Sequence, residues 1–219
     1  MRLTQFAPNE FYHVYNRGTE KRNIFLSRKD YDRFIALMYV CNGVEPVDLK
    51  LQGSTLYEIK DIKQRGKLVD IGAYCLMPNH FHVLLKELRD GGVSKFMQKL
   101  TTAYTMYFNK KNDRTGSLFQ GKFKATHADD DVYLKYLITY IHLNPVKIFD
   151  HDWKEKGIKD EIKTRKFLEK YYYSSYVDYL GVERIENMLI NKKSLPEFFE
   201  APKDFRSNLD EWFSYEGLL

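Results

Sequence analysis

Apolar and polar positions first alternate over residues 10–16, Glu-Phe-Tyr-His-Val-Tyr-Asn, a run rich in β-formers that reads as a strand. Arg17-Gly18-Thr19-Glu20-Lys21-Arg22 follows as a polar, basic loop. Ser27, with Asp30 three residues on, has the form of a helix N-cap with an acidic first turn. Tyr31, Phe34, Ile35, Met38 and Cys41 then share one face of a helix that Asn42-Gly43 ends. Residues 44–66 are irregular, with a short helix near 55–62. Lys67 to Met77 is a second strand, apolar enough for burial on both faces. After the Pro78-Asn79 turn, alternation resumes over 80–87. Phe81, Val83 and Leu85 fall on one face, and His80, His82 and Leu84 on the other. These two strands form an antiparallel hairpin.

A Gly-Gly break at 91–92 and Ser94 open the next helix. Val93, Phe96, Met97, Leu100, Tyr104, Tyr107 and Phe108 keep its i, i+3, i+4 spacing. Gly116 to His127 is extended, with lysines interleaved among phenylalanines. Asp129-Asp130-Asp131 caps a helix that runs to Asn144, where Pro145 closes it. The order β-α-β-β-α-β-α predicts an α+β fold. It has a ferredoxin-like (RRM-like) antiparallel sheet, a βαββαβ core and one added helix. Residues 1–150 form this domain, and residues 151–219 a helical C-terminal extension packed on it. In the extension, the charged run 154–170 reads as a solvated helix, Tyr171 to Gly181 as an aromatic return to the core, and 182–219 as two or three short helices broken at Pro196.

Composition changes this picture little. The 219 residues are 43% hydrophobic, with a formal charge of +5 and a pI of about 8.9. Such a balance permits nucleic acid without demanding it. The aromatic share of 16% is mostly Tyr and Phe, and most of these residues serve a core. Cys41 and Cys75 sit in apolar company and read as buried thiols of a reducing compartment. No apolar run approaches a membrane span and the start lacks a signal-peptide core, so a soluble, cytoplasmic protein without membrane contact is expected.

Two imidazoles projecting from one strand are half of a metal site, or simply two half-buried histidines. The helix over 130–144 supplies a second half. Tyr133, Tyr136, Tyr140 and Asn144 lie within about 80° of one another on it, beside an apolar stripe of Leu134, Leu137, Ile138 and Ile141. The spacing does not choose among the three tyrosines. Tyr140 and Asn144 are one turn apart and can serve one site. Two histidines, an amide oxygen and a phenol together point to phosphodiester transfer. A phenol is a weak nucleophile, and a divalent cation such as Mg²⁺ or Mn²⁺ makes the phosphate easier to attack.

His80-Phe81-His82 after Pro78-Asn79, followed by Tyr140-Ile141-His142-Leu143-Asn144-Pro145-Val146-Lys147, resembles the HUH-type single-tyrosine transposases of the IS200-like superfamily. The REP-associated tyrosine transposase branch is the closer likeness. Tyr12-His13-Val14-Tyr15-Asn16-Arg17-Gly18, Ser117-Leu118-Phe119-Gln120-Gly121-Lys122-Phe123 and Tyr173-Ser174-Ser175-Tyr176 also look like stretches of that branch. The resemblance implies that His80, His82 and Asn144 are metal ligands and Tyr140 the nucleophile. The enzyme would nick and join single-stranded DNA near hairpins, through a 5′-phosphotyrosine and a free 3′-OH, as a monomer or homodimer.

Arg17, Arg22, Lys95, Lys99, Lys122, Lys124 and Lys147 are candidates for phosphate contacts. Phe119 and Phe123 can stack bases or belong to the core. His13, in mid-strand, is expected to pack or to make a structural hydrogen bond. His142 lies on the far side of its helix from Tyr140 and has no expected catalytic part. Two other readings stand beside the transposase. One is a non-catalytic RRM-like module for single-stranded nucleic acid; the other is a replication-initiator or relaxase-like protein, for which the chain is short.

Overall fold

The structure, a computed structural model, describes residues 4–46, 55–196 and 201–214. The first strand is β1 (Phe11–Arg17), and a capping box between Ser27 and Asp30 starts α1 (Arg28–Cys41). In the irregular stretch the described part holds only a single turn, α2 (Leu56–Ile59); residues 47–54 lie outside the described residues. The hairpin follows as β2 (Val69–Met77) and β3 (His80–Glu87), antiparallel as expected, with a register shift between Ile71 and Ala73.

The next helix, α3 (Gly92–Lys111), begins two residues before Ser94. The reason lies in Glu87, whose buried carboxylate accepts from the Gly91 and Val93 amides at 3.0 and 2.9 Å and so caps the helix from the end of β3. Gly92 is required there, because a Cβ at this position would meet the Leu68 carbonyl oxygen at 2.4 Å. Asp30 ties α1 to the far end of α3: its carboxylate pairs with Lys111 at 2.6 Å and accepts from the Tyr107 hydroxyl at 2.9 Å.

Only part of the 116–127 stretch is strand. β4 (Lys124–Ala128) pairs with β1, whereas Phe119 makes an isolated bridge to Gly18 and is buried in the core. Asp130 caps α4 (Asp131–Leu143), accepting from the Tyr133 amide at 2.7 Å, and a 3-10 turn over Asn144–Ile148 ends it at Pro145.

The sheet order is β2-β3-β1-β4, with every neighbour antiparallel, as a ferredoxin-like fold requires. The helices α1 and α3 cover the face that buries Tyr12, Val14, Phe81, Val83 and Leu85. The other face buries Cys75, Met77 and Leu84 against α4.

The charged run is not one solvated helix. It breaks at Gly157, where φ is +73°, into α5 (Trp153–Lys156) and α6 (Glu161–Lys170). Trp153 and Leu168 are buried in the α4 layer. Next come α7 (Tyr176–Tyr179), two 3-10 turns over Ile185–Leu189 and Lys192–Ser194, and α8 (Pro202–Phe213). The break foreseen at Pro196 adjoins residues 197–200, which lie outside the described residues. These elements cover the outer edge of β2 through bridges from Ser174 to Cys75 and from Ile190 to Ile71. That cover explains why an edge strand reads as buried on both faces.

Candidate active site

The antiparallel register decides what stands beside the two histidines. On β1, Arg17 pairs with His80 and Tyr15 with His82; Lys124 of β4 pairs with Tyr15 from the other side. His13, Tyr15 and Arg17 therefore share the α4 face of the sheet with His80 and His82.

Each histidine is held through one ring nitrogen. His80 Nδ1 lies 2.6 Å from Asn79 Oδ1, and the Asn79 amide nitrogen donates to the Lys21 carbonyl at 3.1 Å. With the Asn79 oxygen turned to His80, Nδ1 is the donor and His80 Nε2 keeps its lone pair. His82 Nδ1 lies 2.8 Å from His13 Nε2, both rings being buried. Burial, then the charges of Arg17, Lys147 and Lys154, lowers the His80 pKa to about 4. Burial, with Lys154, takes His13 to about 4, and burial, with His13 and His80, holds His82 well below its ordinary value. All three rings are thus neutral at pH 7. In the His13–His82 pair one ring donates and the other accepts, and the tautomer in which His82 Nδ1 donates to His13 Nε2 leaves the His82 Nε2 lone pair free.

Helix α4 brings the phenols. Tyr133, Tyr136 and Tyr140 stack, with centroids 6.0 and 5.9 Å apart and planes within 12° and 8°. Trp212 of α8 lies 5.2 Å from Tyr136. Tyr140, at the inner end of the stack, meets His13 and His82 edge-on at 6.0 and 5.9 Å. The buried Asn144 amide donates to the Tyr140 carbonyl at 2.7 Å, which leaves its Oδ1 uncommitted.

His80, His82, Tyr140 and Asn144 line one cavity of about 260 Å³ with Tyr15, Asn16, Arg17, Gln120, Lys124, Lys147 and Lys154. Of the stripe tyrosines, only Tyr140 lines it. Among the described residues four cations and no carboxylate surround it, which is an environment for an anion. Among the described residues no three His, Cys, Asp or Glu side chains gather as a metal site; the set in the cavity is two imidazoles and one amide.

Arg17, Lys124 and Lys147 thus join His80, His82, Tyr140 and Asn144 in the cavity, while four other predicted contacts do not. Arg22 pairs with Glu20 at 3.2 Å, and Lys95 is exposed on α3. Lys99 donates to the Gly43 and Glu45 carbonyls, tethering the chain after α1. Lys122 lines a larger, open groove of about 1150 Å³ between α3 and the 117–123 loop, which adjoins the cavity at Asn16. Lys154 is the residue the sequence concealed, since nothing marks it out in a run of alternating charges. His13 was visible through its alternation with Tyr15 and Arg17, and it makes the structural hydrogen bond expected of it. His142 is buried away from the cavity, with Nε2 2.7 Å from Ser175 Oγ.

Residues 47–144 match the family model described as IS200-like transposase. Among solved structures, a REP-associated tyrosine transposase bound to a REP hairpin superposes with a TM-score of 0.55. The match has 13% identity and covers 85% of this chain and 89% of that one. A tRNA(His) guanylyltransferase from Saccharomyces cerevisiae, 12% identical over 90% of this chain and 85% of its own, reaches a TM-score of only 0.34, too low to carry an argument. No curated protein matches the sequence. Over residues 47–144, a little under half of its length, the chain is similar in sequence to IS200-like transposases, and its fold is similar to that of a REP-associated tyrosine transposase.

Proposed function

We propose that this protein is a transposase that nicks and rejoins single-stranded DNA beside hairpins, with Tyr140 as the nucleophile. The observation that carries the reading is the cavity. Among the described residues, a phenol, two neutral imidazoles and an amide meet there inside a ring of four cations without a carboxylate. The REP hairpin held by the structurally similar transposase supports hairpin DNA as the partner.

In this reading Arg17, Lys124 and Lys147 grip the phosphate, and the Tyr140 oxygen attacks phosphorus. The bond from phosphorus to the 3′-oxygen breaks. The 5′ phosphate stays on Tyr140, and the 3′-oxygen leaves as a hydroxyl. The phenolic proton passes to water and the departing oxygen takes one up from water. Because the phosphotyrosine conserves the bond energy, an incoming 3′-OH can reverse the step and join strands without ATP.

His80, His82 and Asn144 would hold a divalent cation, Mg²⁺ or Mn²⁺. With His82 Nδ1 donating to His13, two imidazole lone pairs and one amide oxygen fit such an ion and leave coordination positions for phosphate. Once bound, the ion would polarise the phosphoryl oxygens. His13 fixes the His82 ring by its hydrogen bond, as Asn79 does for His80. Arg22, Lys95 and Lys122 are proposed as outer phosphate contacts; Lys99, committed to backbone carbonyls, is not.

The test uses single-stranded oligonucleotides that carry an imperfect hairpin with randomised flanks, incubated with Mn²⁺ and resolved under denaturing conditions. Wild type should yield cleaved strands, and His80→Ala with His82→Ala should yield none while keeping salt-dependent binding. Cleavage that survives the double substitution would refute the role given to the pair.

A further inference from the structure

Lys154 lies ten residues beyond the segment that matches the transposase family, on a single helical turn of the C-terminal extension. Its ammonium nonetheless donates to the Tyr140 hydroxyl oxygen at 2.7 Å. The same nitrogen lies 4.1 Å from the centre of the Tyr140 ring. It therefore approaches the oxygen from the flank of the ring and leaves the direction along the C–O bond open. The backbone that presents it is anchored next door. Trp153 is buried in the α4 layer, 5.9 Å from Trp212. Lys156, on the same turn, pairs outward with Asp152 at 2.7 Å. Among the described residues no carboxylate pairs with Lys154, so its charge is directed into the cavity.

We infer that Lys154 is a positioning residue for the nucleophile: it holds the Tyr140 hydroxyl in the cavity and stays protonated beside the oxygen while that oxygen bonds to phosphorus. This rests on Tyr140 being the nucleophile. The bonds made and broken are those of the proposed transfer, and Lys154 neither gains nor loses a proton. A charge-assisted hydrogen bond in a partly dehydrated cavity strengthens as negative charge gathers on its acceptor, so Lys154 favours the transition state over the resting state. An ordinary phosphate-gripping lysine would act on binding instead.

The experiment separates these roles. Covalent adduct formation is followed in a single turnover at saturating hairpin oligonucleotide with Mn²⁺, and affinity is measured separately at several salt concentrations. Lys154→Met should slow adduct formation at saturation by about 10–100-fold, and Lys154→Arg, which keeps charge and donor, should recover most of that rate. Lys156→Met removes an equal charge from the same turn and should leave the rate unchanged. The inference is overturned if Lys154→Met reacts at saturation within about threefold of wild type and loses only affinity, with the salt slope lowered by about one. An equal loss in Lys156→Met would overturn it too, by reducing the effect to net charge. If wild type forms no adduct, or Tyr140→Phe still forms one, the proposed nucleophile is wrong, and that result does not depend on any Lys154 variant.

Discussion

At the scale of single residues, the cavity places unlike demands on its histidines. To hold the proposed cation, His80 and His82 would have to be neutral and offer a lone pair, and burial among cations secures the first. The second depends on the partners of their other nitrogens, and for His82 that partner is His13, supplied by a strand outside the family match. Replacing His13 with Ala should weaken Mn²⁺ binding by about 10–100-fold, as read by calorimetric titration; an unchanged affinity would remove His13 from the account. The lack of a carboxylate has a further consequence. Four cations repel a divalent ion, and a bound phosphate offsets them. Mn²⁺ should therefore bind tighter when a hairpin oligonucleotide is present, and the oligonucleotide tighter with Mn²⁺, by the same factor. Independent binding of the two would contradict a shared site.

At the scale of elements, the C-terminal extension does structural work that its charged composition hides. It closes the β2 edge and holds α4 from behind. Arg184 binds the buried Asp178 carboxylate and the Ser174 and Tyr172 carbonyls, and it reaches the Tyr74 hydroxyl at 3.2 Å. Arg184→Ala leaves Asp178 buried without its partner and should cost about 3–5 kcal/mol, seen as a lower denaturation midpoint in urea. A shift below about 1 kcal/mol, the worth of an exposed pair, would mean that the extension is not locked to the sheet.

His142 joins the same layers, packed edge-on against Phe205 at 5.1 Å. Burial lowers its pKa to about 3 from 6.5. The unfolded chain therefore takes up a proton near pH 6.5 that the folded chain refuses until far lower. The stabilisation is complete above pH 6.5 and is lost as pH falls from there toward 3. His142→Gln should flatten the pH dependence of stability between pH 7 and 5 by about 1–2 kcal/mol, measured by urea denaturation at each pH. An unaltered slope would place the acid sensitivity elsewhere.

At the scale of the whole molecule, the antiparallel sheet was legible because β1 and β3 alternate, β2 is a continuous apolar run, and the order of elements matches βαββαβ. The His80 and His82 face followed from period two alone. The capped helix was legible for the same kind of reason, since Asp130 and Pro145 mark its ends. Less legible was anything that depends on distant parts meeting. Glu87 starts α3 early because a strand end caps a helix, and no local pattern in residues 91–94 records that. Lys154 reaches Tyr140 because Trp153 is buried under α4, and a window over 154–170 shows only alternating charge. The three tyrosines of α4 were equivalent by spacing; packing separates them by setting Tyr136 against Trp212 and Tyr140 against the histidines.

That separation is the centre of the functional account, and covalent capture tests it. Wild-type protein is incubated with Mn²⁺ and the hairpin oligonucleotides, denatured and digested, and the DNA-linked peptide is identified by mass spectrometry. A 5′-phosphotyrosine at Tyr140 is expected, absent from Tyr140→Phe and retained in Tyr136→Phe. A linkage at Tyr136 or Tyr133, or an adduct that persists in Tyr140→Phe, would contradict it.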